Sequence, residues 1–188
     1  GRQHAGELDW SARMSHVHAA REAAGSALRL RLGIEFGSGQ VDAAAAPQVL
    51  CQPELDFVIG SLHNLSLAEG GGDLYYINYD SSELCYRVLD DYFTSMAALV
   101  EADCYDVLGH IIYPLRYMCV RDGQKVDIRP YLERIRTLLT GVAAHGRGIE
   151  LNTWTGRTLE AWRPILEAYR ACGGEFITVG SDAHVSSS

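Results

Sequence analysis

The chain has 188 residues, 47% hydrophobic and 21% charged, with a net charge of −8. That balance fits one globular domain with a sizeable core, and the acidity argues against nucleic acid or an anionic membrane as a partner, although a local cluster of metal ions or arginines can still hold a small anion. The five cysteines, Cys51, Cys85, Cys104, Cys119 and Cys172, are scattered, odd in number and without a CxxC, so they read as reduced thiols of a cytoplasmic protein, and no apolar run is long enough to span a bilayer.

Trp10 to about Ala24 reads as a helix, with Ser11 as cap, alanines in the middle and Gly25 as stop. His16 and His18 lie on it as His-Val-His; positions i and i+2 of a helix face different ways, so the pair reads as two partly exposed histidines. Leu28 to Glu35 alternates at the strand period and puts Glu35 at the strand's end. Val41 to Gln52 is alanine-rich but holds Pro47, so any helix there is short or kinked. Asp56 to Ser61 is a second, apolar strand with His63 directly after it, and Ser66 to Gly72 is a glycine-rich loop. Asp80-Ser-Ser-Glu83 resembles a capping box with Asp80 as cap. The amphipathic helix after it runs through Leu84, Val88, Tyr92, Met96 and Val100. Asp106 to Gly109 is a third strand with His110 at its end, and a proline-containing loop then carries Arg116 and Tyr117. A helix from about Ile128 to Ala144, a strand from Gly148 to Asn152 and a loop with Gly156 and Arg157 follow. The helix from Leu159 to Cys172 stops at Gly173-Gly174. The last strand, Phe176 to Val179, reads as buried; it breaks at Gly180 and delivers Asp182 and His184.

Strands and helices alternate, and all strands but the first are short and apolar throughout. That pattern predicts an α/β fold with parallel strands covered by helices, in a single domain over 1–188. In such folds ligands gather at the C-terminal ends of the strands. Glu35, His63, His110, Asp182 and His184 all lie at or just past such ends, from four different strands. Three imidazoles and two carboxylates on one rim are a divalent-metal set, larger than one ion needs, with Glu35 the candidate for a bridging carboxylate. Arg116 and Arg157 sit on the same rim and suit bidentate phosphate contact.

Phe57-Val-Ile-Gly-Ser-Leu-His63, Asp106-Val-Leu-Gly-His110 with Arg116-Tyr117, Glu150-Leu-Asn152 with Gly156-Arg157, and Ser181-Asp-Ala-His184 resemble successive motifs of the polymerase and histidinol phosphatase (PHP) superfamily, in its histidinol-phosphatase branch. The likeness runs from about Gly33 onward. It implies a distorted TIM-like β/α barrel of seven strands, a cluster of two to three divalent metal ions (zinc, manganese or iron) and hydrolysis of phosphate monoesters. Carried over position by position, Glu35 matches the bridging carboxylate. His63 and His110 match ligands of the second metal, Asp182 a ligand of the first and His184 one of the third. Glu35, Asp182 and His184 are thereby the expected catalytic metal-site residues. Arg116 and Arg157 match the phosphate-binding arginines of that branch.

The family's opening HxH motif and the histidine after its second strand have no counterpart here, and the family's closing helix lies beyond the end. The expectation is therefore a partial domain that starts after the second strand, lacks the first strands of the barrel and is weakly active or inactive by itself. Trp154 stands where the family usually has a small residue. The resemblance implies a phosphatase of L-histidinol phosphate in histidine biosynthesis, with a small phosphorylated substrate as its partner. The alternatives are another phosphoesterase of the superfamily, acting on protein phosphotyrosine or nucleotides, and a non-catalytic metal-binding or truncated module.

Overall fold

A computed structural model describes residues 9–41, 46–154 and 156–184. Five parallel strands form its one sheet: β1 (Gly33–Gly37), β2 (Phe57–Ser61), β3 (Val107–Leu108), β4 (Gly148–Asn152) and β5 (Ile177–Gly180). Their order across the sheet is their order in the chain. Between them run α1 (Trp10–Ala24, before β1), α2 (Ala46–Leu50), α3 (Ser82–Ala102), α4 (Leu132–Ala144) and α5 (Leu159–Ala171). Right-handed crossovers between sequential parallel strands place their helices on one face of a sheet. The apolar residues of that face, Val58, Leu108 and Ile149, are buried in one core with Leu89, Tyr92 and Met96 of α3, Ile135 and Leu139 of α4, and Trp162 and Ile165 of α5.

The opposite face has a different chemistry. Strand alternation and register put Glu35, Ser61, Glu150, Asn152 and Thr178 there, with the apolar Phe57, Ile59 and Val107 and with Gly33, Gly37, Gly109, Gly148 and Gly180 between them. Two of these glycines keep the face open. A methyl group at Gly109 would meet Ile59 at 2.8 Å, and one at Gly180 would collide with the Glu150 carboxylate. The sheet thus has an oily side under helices and a mixed side, where the carboxylates and glycines lie among Phe57, Ile59 and Val107.

Several boundaries differ from expectation. Leu28 to Leu32 is not strand, because β2 starts only at Phe57 and offers no earlier partner. Asp56 sets the junction: its carboxylate accepts from Leu32 N at 2.9 Å, and its own N–H donates to Leu32 O at 2.8 Å. Glu35 therefore lies at the centre of β1, not at its end. α1 is capped by Asp9, which accepts from Ala12 N at 3.0 Å, and not by Ser11. α3 is capped by Ser81, whose hydroxyl accepts from Leu84 N at 3.3 Å, and not by Asp80. Residues 42–45 of the expected alanine-rich segment lie outside the described residues; α2 follows them and is short, as Pro47 requires. β5 is not buried: as an edge strand it leaves Ile177 and Val179 exposed. Among the described residues no helix is long and apolar enough to cross a membrane. All five cysteines are free.

Candidate metal centre and active site

Glu35 reaches the side of the sheet away from the helices from β1, His63 follows β2 by two residues, and His110 follows β3 by two. Adjacent parallel strands bring these three together although 75 residues separate Glu35 from His110. Glu35 Oε1 is 3.0 Å from His63 Nε2 and 3.0 Å from His110 Nε2, and the two Nε2 atoms are 3.1 Å apart. Two imidazole nitrogens and one carboxylate oxygen so form a nearly equilateral triangle. Ligands of a tetrahedral zinc at about 2.0–2.1 Å stand roughly 3.3 Å from one another, so this donor set fits a divalent ion in both type and spacing.

The surroundings hold the triad in place. His110 is buried, its backbone N–H donates to Glu150 Oε2 at 3.1 Å, and Tyr92 Oη donates to its carbonyl at 3.3 Å. Asn152 Nδ2 in turn lies 3.3 Å from both oxygens of Glu150. Tyr113 packs its ring 4.9 Å from that of His63 and 4.7 Å from that of His110. Burial opposes ionisation of Glu35, but hydrogen bonds from His110 and His63 outweigh it and hold the carboxyl well below the usual carboxylate range. A carboxylate kept ionised beside two imidazoles is ready for a cation. The Nδ1 of His110 and the hydroxyl of Ser61 are buried without a partner.

The other expected site residues form a second group. Arg116 does not lie in a loop: it opens a π-helical turn, Arg116–Arg121, and is 3% exposed. Its Nη1 donates to Asp182 Oδ2, its Nη2 has no partner, and its guanidinium lies 5.0 Å from the centre of the Tyr113 ring and 5.8 Å from that of Trp154. Asp182 is thus bound to an arginine instead of joining the triad, and its backbone takes a left-handed φ of 55°. His184 is exposed, with Nε2 3.6 Å from Asp182 Oδ1. Arg157 is exposed and stands over Trp154 at 5.2 Å. Trp154 is held by its N–H to Asn152 Oδ1 at 3.0 Å, and Trp162 Nε1 anchors the Asn152 carbonyl at 2.8 Å. Tyr113 links the two groups, because it touches both histidines and Arg116. His16 lines a cleft of about 400 Å³ that ends at Glu35, while His18 pairs with Glu54 at 2.7 Å.

Sequence reasoning did not single out Tyr113, Tyr117, Glu150 or Asn152 for a role. The tyrosines flank Arg116 at i and i+4, a helical spacing that a proline in the segment obscured. Glu150 and Asn152 alternate in an otherwise apolar strand, which is the mark of a polar face.

No family model matches the chain. A probable histidinol-phosphatase of Clostridium acetobutylicum is 32% identical over 164 residues, covering 85% of this chain and 62% of its own length. In sequence the chain is similar to histidinol-phosphatases. A histidinol-phosphatase of Lactococcus lactis is 24% identical over 85% of this chain and 59% of its own. The chain therefore spans about 60% of the length of these two relatives. The crystal structure of histidinol phosphate phosphatase from Lactococcus lactis, complexed with zinc, L-histidinol and phosphate, has a TM-score of 0.80 over 95% of this chain and 68% of that one. At 20% identity the likeness is one of fold.

Proposed function

We propose that this chain carries the metal centre of a phosphatase that hydrolyses L-histidinol phosphate to L-histidinol and phosphate. The observation that carries the proposal is the triangle of Glu35 Oε1, His63 Nε2 and His110 Nε2, with Arg116 joined to it through Tyr113. Glu35, His63 and His110 would hold an ion between them, and Asp182 and His184 would contribute further ligands on the same rim. The ions are zinc, manganese or iron, two to three in number. When bound they supply Lewis acidity toward phosphoryl oxygens and a source of nucleophilic water at neutral pH. The five strands in chain order, with helices on one side and the site's polar residues on the other, are an arc of a distorted β/α barrel in this single domain.

The chain's own residues have separate tasks. Arg116, buried and with a free Nη2, offers fixed donors to a phosphate in a site where water competes poorly. Arg157, exposed and standing over Trp154, adds a second cation. Tyr113 fixes the ring planes of both histidines, and Glu150 fixes the backbone of His110. The relatives named for this activity support the choice of substrate.

Phosphate release from L-histidinol phosphate tests the proposal, on this chain and on a polypeptide that extends it to the relatives' length. The longer one is expected to release phosphate with zinc or manganese and to stop when chelated; this chain is expected to be weak or inactive. Release by the longer polypeptide that survives chelation, or none with either metal, overturns the proposal.

A further inference from the structure

Arg121 closes the π-helical turn that Arg116 opens, and the proposed chemistry gives it no task. It is nonetheless among the most engaged side chains of the site. Its Nε and Nη2 each donate to Asp122 at 2.7 Å, Nη1 donates to the Tyr75 carbonyl, and Nη2 also donates to the Ile77 carbonyl. Its guanidinium stands 5.1 Å from the Tyr117 ring centre and 6.0 Å from that of Tyr75. Asp122 accepts from Tyr79 N at 3.0 Å, and Gln124 Nε2 donates to the Tyr79 carbonyl at 2.8 Å. The stretch from Tyr75 to Tyr79 is stapled at four backbone groups by Arg121, Asp122 and Gln124, at the end of the turn and just past it.

The same stretch is tied to the metal centre from the other side. Leu74 N–H donates to the carbonyl of His63 at 2.8 Å, and Asp73 accepts from Tyr75 N at 2.8 Å. Tyr75 is thus pinned between a metal-site histidine and Arg121. Its ring stands edge-on to Tyr117 at 5.4 Å and 85°. Tyr117 Oη donates to Tyr113 Oη at 2.9 Å, and the Tyr117 ring meets Trp154 edge-on at 6.4 Å.

Tyr113 and Tyr117 are buried, but Tyr75 is 50% exposed. A core role would bury the ring, and a loop aromatic without a task needs no four-bond staple. A half-exposed ring held rigidly in line with Tyr117 and Trp154, beside the buried arginine, is a preformed surface for another ring. Tyrosine and tryptophan supply such surfaces at little entropic cost, and their faces attract cations.

We propose that Tyr75, positioned by Arg121, forms with Tyr117 and Trp154 the wall that takes the ring-bearing end of the substrate, while Arg116 and Arg157 take its phosphate. This rests on the phosphatase proposal above. It makes Tyr75 a specificity-determining residue and Arg121 a positioning residue, and the ligand chemistry it names is an imidazole or imidazolium ring.

The two ends of the substrate can be measured separately by calorimetric titration of the zinc-loaded chain with L-histidinol and with inorganic phosphate. Tyr75→Ala is expected to weaken L-histidinol binding about tenfold and to leave phosphate binding unchanged. Tyr75→Phe is expected to bind like the parent, because the ring does the work. Arg121→Lys keeps the charge but loses the fork, and is expected to reproduce the loss for L-histidinol alone. Equal losses for both ligands, or no loss with Tyr75→Ala, overturn the role of Tyr75 and leave the phosphatase proposal standing. A parent chain that binds phosphate but not L-histidinol overturns the choice of substrate, and this inference with it.

Discussion

Glu35→Gln is expected to lower zinc affinity by roughly 100-fold or more while the protein stays folded. Glutamine keeps the shape of the side chain and removes the anion at the point where both imidazoles converge. Loss of a partner that merely orients a ligand costs 10- to 100-fold in metal affinity, so loss of the charged ligand belongs at or beyond the upper end. The side chain is 41% exposed, so the exchange leaves no buried cavity. The effect can be read without catalysis. An ion that binds the folded state stabilises it by about 2.7 kcal/mol at a concentration 100 times its Kd. Denaturant unfolding with and without zinc should show a gain of that size for the parent and at most about 0.4 kcal/mol for Glu35→Gln or His110→Ala at the same zinc concentration. An equal gain in all three would place the zinc elsewhere.

Asp182→Asn is expected to destabilise the metal-free protein by about 2–3 kcal/mol. The exchange strands the guanidinium of Arg116, which is 3% exposed and already has one nitrogen without a partner. Breaking a buried ion pair by removing one partner costs about 3–5 kcal/mol; the lower figure applies because Asp182 keeps 27% of its side chain in solvent and so contributes a weaker pair. The partner exchange has a different signature. Arg116→Ala leaves an aspartate that solvent can reach, and its main expected effect is a loss of phosphate affinity of roughly 10- to 100-fold, the worth of charge-assisted donors in a water-poor site. Urea unfolding in the presence of chelator reads the first effect, and phosphate titration of the zinc-loaded protein reads the second. If Asp182→Asn unfolds at the parent's midpoint, the pair contributes nothing to the metal-free fold.

Much of this was legible from the residues alone. α3 follows from its apolar spacing, α5 from its Gly173-Gly174 stop, β2 and β4 from short apolar runs, and the convergence of Glu35, His63 and His110 from the reading of each at or just past a strand's end. What was not legible depended on contacts between distant segments. The start of β1 is set by where β2 begins and by the Asp56 carboxylate, not by the alternation of Leu28, Leu30 and Leu32. The exposure of β5 comes from its place at the sheet edge, which composition does not encode. Arg116 reads as a loop residue because Pro114 precedes it, yet a π-helical turn buries it against Asp182, 66 residues away. Asp182 and His184 were expected beside the triad; the structure instead holds Asp182 on Arg116 and leaves His184 exposed. The aromatic wall is assembled from Tyr75, Tyr117 and Trp154, three residues that no local pattern connects.

The central claim is that Glu35, His63 and His110 ligate one divalent ion. Anomalous diffraction at the zinc edge, from crystals of this chain grown with zinc, tests it most directly. The expected result is a peak about 2.0–2.2 Å from Glu35 Oε1, His63 Nε2 and His110 Nε2. Zinc bound away from these three atoms, with the carboxylate still hydrogen-bonded to both imidazoles, would contradict it.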